Sequence, residues 1–216
     1  MTASRVWAAS GLLAVLLLGS TAFIAPPPPG AGAAPAQVTA YYAAYRGGLG
    51  LEALLYWVGA ILLLVFAARL LDRLGVDALT LLGFGAAAIG VGLMLAEDVM
   101  FQALFVDRGQ AGQEVLLSDL QNLFVSFSFL PYAVFLASMG WALRSSGSPR
   151  LGVCGLVAAG LQLPSLYTVL AAPGPLAAGG VLNVIAFAGL LGWLLLTSSS
   201  LVVNPGAGSG AARPGI

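Results

Sequence analysis

The sequence predicts an all-α, polytopic six-helix transmembrane bundle with both termini in the cytoplasm. Six apolar stretches between Val6 and Ser198 each approach the length that crosses a bilayer, which is about 20 helical residues for roughly 30 Å of hydrocarbon. None of them carries an acid or a base in its central turns. The chain is 60% hydrophobic and only 7% charged, against about 25% charge in soluble domains, so its surface needs lipid rather than water.

The first span, about 6–25, follows the lone Arg5. Arg5 with the apolar run Leu12 to Leu18 also fits a cleaved signal peptide, with small-residue sites near Ala34 to Ala36. A retained helix is favoured, because the stretch has full span length and Pro26 to Pro29 obstruct cleavage at the nearest site. Proline fixes φ and donates no hydrogen bond, so the chain from Pro26 to Ala36 reads as an extended, polyproline-like exit. It opens an outer segment reaching Gly50, in which Tyr41, Tyr42 and Tyr45 suit the headgroup zone as interfacial anchors or, alternatively, stack on a ligand.

The second span covers about 51–71 and the third about 76–96. Within the third, Ala86 with Gly90 and Ala88 with Gly92 give small-xxx-small spacing. Packing drives helix association in lipid, so this span belongs at the centre of the bundle or in a homodimer. Gly155 with Ala159 repeats the pattern more weakly in the fifth span. The segment from Glu97 to Asp119 mixes apolar residues with carboxylates and reads as a helical continuation that bends along the outer membrane surface. The fourth span covers about 120–143, the fifth about 151–170 and the sixth about 176–197. A single membrane domain thus occupies 1–202, and the Gly- and Pro-rich tail, 203–216, is expected to be disordered.

Orientation follows from the bases, which are all arginine. Six of the eight, Arg5, Arg69, Arg73, Arg144, Arg150 and Arg213, fall on one side, leaving Arg46 and Arg108 with most of the acids on the other. Basic short loops stay in the cytoplasm. The balanced charge offers no field for a nucleic-acid backbone, and the single cysteine, Cys154, has no intrachain partner and reads as a small buried filler.

Histidine is absent, which removes bis-histidine haem, HExxH zinc and Ser-His chemistry. No cofactor and no metal is expected. Glu97 and Asp98 form an acid pair at the outer end of the third span that can bind a cation or divide acid and base roles. Adjacent helical residues point about 100° apart, however, which works against both meeting one ion. The uncharged polar residues Ser126, Ser128, Gln162, Ser165, Tyr167 and Asn183, beside Pro131 and Pro164, outline a ligand seam between the fourth, fifth and sixth spans. Buried amides need partners, so Gln162 and Asn183 should face protein.

The short ARLLDRLGVDALT turn, the outer amphipathic stretch and the fourth span ending WALRSSGSPRLGVCGLVAAGLQ resemble, in order, a family of uncharacterised six-span bacterial membrane proteins, a domain of unknown function. The likeness covers about Val6 to Ser198. It implies a multi-pass protein of a bacterial inner membrane and brings no activity or cofactor. The leading expectation is a non-enzymatic bundle binding a membrane-protein partner or a lipid-like ligand. A small-solute permease or channel using the seam comes second, and an enzyme built on Glu97 and Asp98 third.

Overall fold

The computed structural model describes residues 3–106, 111–168 and 180–203. Among them are six helices: α1 (Ala3–Thr21), α2 (Pro35–Leu74), α3 (Ala78–Val106), α4 (Ala111–Ser145), α5 (Pro149–Tyr167) and α6 (Val181–Val203). Four of these, α2, α3, α4 and α6, are long and apolar enough to cross a membrane. The other two, α1 and α5, have 19 residues each. Glycine, glutamine and Pro164 lower the apolarity of α5.

Each helix packs against the next, and α1 packs against α6, so the six close into a ring crossed by α2–α4 and α4–α6 contacts. Neighbours run antiparallel. Gly11 meets both Phe66 of α2 and Ser198 of α6, Gly90 meets Tyr132 of α4, and Gly155 of α5 meets Trp193 of α6. One end of the ring therefore gathers the α2–α3 and α4–α5 turns with the start of α1 and the end of α6, and it carries Arg69, Arg73, Arg144 and Arg150.

Both short turns are built by local chemistry. At the head of α3, the Asp77 carboxylate accepts from the Thr80 amide at 2.8 Å, while the Thr80 hydroxyl accepts from the Asp77 amide at 3.0 Å. This reciprocal cap satisfies two helix-end donors at once. Asp77→Ala is expected to cost about 1 kcal/mol in unfolding of the detergent-solubilised protein; an unchanged unfolding midpoint would contradict it. At the end of α4, Gly147 takes φ 93° and the Ser148 amide reaches back to the Leu143 carbonyl at 2.9 Å. This six-to-one bond closes the helix end and turns the chain into α5.

The main core fills the ring. Trp193 stands edge-on to both Phe66 and Phe135, with centroids 6.5 and 5.5 Å away, and its indole donates to the Leu151 carbonyl at 3.2 Å. A second, smaller core lies toward the other end, where Ala25, Val38, Tyr42 and Leu49 are buried with Leu117 against them.

That second core corrects several expectations. The outer segment before the second span is not extended throughout, since it turns at Gly30–Ala33, where the Ala33 amide donates to the Gly30 carbonyl at 3.1 Å and Gly32 takes φ 76°; Pro35 then starts a helix of 40 residues that includes Tyr41, Tyr42 and Tyr45. Proline suits the first helical position because no donor is needed there. The stretch from Glu97 onward continues α3 to Val106 and resumes as α4 from Ala111, so these residues extend the bundle. The sixth helix is described from Val181, the expected start at 176 lying outside the described residues, and it runs on through Thr197 and Ser198, both buried. Residues 169–179 and the tail beyond Val203 lie outside the described residues. Cys154 is exposed, not buried, because Gly152 and Gly155 turn the neighbouring face of α5 onto α4.

Candidate functional site

Between the two cores lies a cavity of about 250 Å³. Its walls come from α2 (Glu52, Tyr56), α3 (Met94, Glu97, Asp98), α4 (Gln121 to Tyr132) and α6 (Asn183, Val184, Phe187), with Ala22 and Pro28 from the α1–α2 connection above them. Most of this lining is apolar or aromatic, with a few convergent polar groups, which is the usual constitution of a small-molecule site.

Glu97 is held from two sides. Its carboxylate accepts from the Tyr56 hydroxyl at 2.8 Å and from the Gln121 amide at 3.4 Å. The Gln121 carbonyl in turn accepts from Tyr42 at 2.9 Å, which fixes the orientation of that amide. The Trp57 side chain lies beside Asp98. Oδ2 of Asp98, like Oε2 of Glu52, is buried without a protein partner. The structure places Glu97 and Asp98 on the lining of one cavity, with Glu97 held by Tyr56 and Gln121. α3 is flanked here by α2 and α4, so neighbouring positions on its surface both meet protein.

The roof is the proline run, pinned by three hydrogen bonds. Tyr41 donates to the Pro26 carbonyl at 2.7 Å, Asn122 to the Pro29 carbonyl at 3.2 Å, and the Gly32 amide to Asp119 at 3.0 Å. Tyr41 also stacks against Tyr42 and Tyr45 at 5.2 and 5.1 Å. The tyrosines thus brace the cavity's cover and its acid.

The predicted seam divides. Ser128 and Asn183 line the cavity. Ser126, Thr168 and Asn183 form a closed hydroxyl–amide triangle with edges of 3.0, 3.4 and 3.2 Å. Gln162 donates to the Ala158 and Ala186 carbonyls at 3.1 and 2.8 Å, and Ser165 donates to the Leu182 carbonyl at 3.0 Å. Gln162 and Ser165 therefore tie α5 to α6, away from the cavity. Tyr167 leaves the seam altogether and is 59% exposed. Of the small-residue pairs, Ala86 and Gly90 are buried, with Gly90 against Tyr132 of α4, while Gly92 is exposed with open space around it and Ala88 is half-buried.

Sequence reasoning missed Glu52 and Tyr56 as part of the site. The available signal was their spacing, since residues four apart on a helix share a face. Among the described residues, no group of three acids, cysteines or histidines comes together closely enough to hold a metal ion.

Comparison with protein-family models, with curated proteins and with solved structures finds no match, so the chemistry of this cavity is read from its own residues.

Proposed function

We propose that this multi-pass membrane protein is a non-enzymatic binding bundle whose cavity, under the proline roof, takes a small amphipathic or lipid-like ligand. The observation that carries the reading is the convergence of four helices on one largely apolar cavity lined by Glu52 and Asp98, each of which has one buried carboxylate oxygen without a partner. Ala22 and Val184 line the cavity and are also exposed, Val184 by 55%, so an entrance lies between the end of α1 and the start of α6. That entrance faces the flank of the bundle, where lipid would lie.

Binding is supported over catalysis by the engagement of both Glu97 oxygens in hydrogen bonds. It is supported over permeation by the Phe66–Trp193–Phe135 cluster, which packs the centre of the ring further along α6 from Asn183. The clustering of four arginines at the far end supports placing that end in the cytoplasm and the cavity toward the outer leaflet.

Native mass spectrometry of the detergent-purified protein tests the reading. The wild-type chain is expected to retain a small-molecule or lipid adduct. Val184→Trp, which changes an exposed side chain at the entrance, is expected to lose most of it while leaving the unfolding midpoint unchanged. Equal adduct occupancy in both proteins, or no adduct in either, would defeat the proposal.

A further inference from the structure

The chemistry of the ligand follows from what the cavity leaves unsatisfied, on the premise that the cavity is a ligand site. Asp98 is only 5% exposed, and its Oδ2 has no protein partner; Oε2 of Glu52 is in the same condition. An unpaired acceptor in an apolar setting is costly, and an unpaired charge more so. No arginine is among the described residues that line the cavity. Protonation removes the charge but leaves the hydrogen-bond deficit, because a protonated oxygen at either position becomes a buried donor that still lacks an acceptor.

A metal ion fits the cavity poorly. Calcium needs six to eight oxygens at about 2.3–2.6 Å, several of them carboxylate, and the described residues bring no group of three acids together. The space of about 250 Å³ is also far larger than one ion requires. A cation with apolar substituents matches the walls instead. Phe129, Tyr132 and Phe187 line the cavity along with the acids, and aromatic rings attract a nearby ammonium while accepting its carbon atoms. The volume falls just under the roughly 300–1,000 Å³ of ordinary drug-sized pockets, so the occupant is a compact head.

We infer that the cavity binds an alkylammonium carrying at least one N–H, which donates to Asp98 and Glu52 while its alkyl part lies against the aromatic wall. Glu97, already held by Tyr56 and Gln121, is a positioning residue that shapes the acid wall without direct contact. Two sources share this chemistry: a free amine, and the ethanolamine headgroup of a lipid entering past Val184.

Isothermal titration on the full chain in phosphatidylglycerol nanodiscs tests the inference, with cyclohexylammonium as the probe and cyclohexanol as its neutral counterpart. The ammonium is expected to bind at least tenfold more tightly than the alcohol. Asp98→Asn and Glu52→Gln should each weaken ammonium binding at least tenfold and leave the alcohol unaffected. Adding phosphatidylethanolamine to the nanodiscs distinguishes the sources, since competition marks the lipid headgroup and its absence marks a free amine. Equal binding of ammonium and alcohol, or undiminished ammonium binding in both variants, overturns the cation while the cavity reading stands. If neither probe binds, the cation is overturned, and the sensitivity of the native adduct to Val184→Trp then decides the cavity reading separately.

Discussion

Trp193→Ala is expected to destabilise the protein by roughly 3 kcal/mol, measured by unfolding of the detergent-solubilised chain. Large-to-small changes in soluble cores cost about 3–5 kcal/mol for tryptophan, combining a transfer part with a cavity part. In lipid the transfer part largely vanishes, because acyl chains are as apolar as the core, and lost packing carries the cost. Here that loss is large. The indole is 2% exposed, stands edge-on to Phe66 and Phe135, and links α6 to α5 through the Leu151 carbonyl. Trp193→Phe should recover part of the loss, since it restores a ring but not the donor. A cost below about 1 kcal/mol for the alanine variant would show that the ring's centre collapses readily, contrary to a close-packed interior.

Gly152→Val is expected to be at least as severe and to prevent recovery of a folded monomer. A Cβ at this position would lie 2.6 Å from the Arg144 amide nitrogen and 2.6 Å from the Gly140 carbonyl oxygen. These are backbone atoms, so no rotamer change relieves the clash, and α4 and α5 must separate. Overpacking of this kind costs about 1–3 kcal/mol in ordinary cores and more where backbone is struck. Gly160→Val on the same helix is the control, because a Cβ there would meet nothing within 4 Å and the residue is exposed. Size-exclusion chromatography and helical circular dichroism of the two variants side by side should separate them; equal yields and profiles would refute the close-approach argument.

The six helices were legible from apolar length alone, because lipid imposes a coarse and uniform demand on each crossing. Their ends were not. The segment before Leu51 looked like a loop on account of its prolines and glycines, yet AQVTAYYAAY is rich in alanine and propagates a helix once Pro35 has started it. The importance of Gly155 was visible only as a weak repeat with Ala159 and that of Gly152 was not visible, whereas the more conspicuous Gly92 faces open space. Spacing tells which residues share a helix face but not which helix that face meets. The site failed to emerge for the same reason. Glu97 and Asp98, and Ser128 and Asn183 of the seam, were read as two separate places, and only the antiparallel pairing of α3 with α4 and the approach of α6 make them parts of one cavity. Glu52 is separated from them by the whole of a helical hairpin and was placed only by the α2–α3 pairing.

The ring has a seam in time as well as in space. Of the six described helices α1 is made before the others, yet one of its two flanks is covered only by α6, made after them. Until then the growing chain is an open arc, in which Gly11 and Phe66 await Ser198, and the faces of Phe66 and Phe135 that will receive Trp193 are bare. Biogenesis therefore has a single closing event, and the mouth beside Val184 comes into being with it.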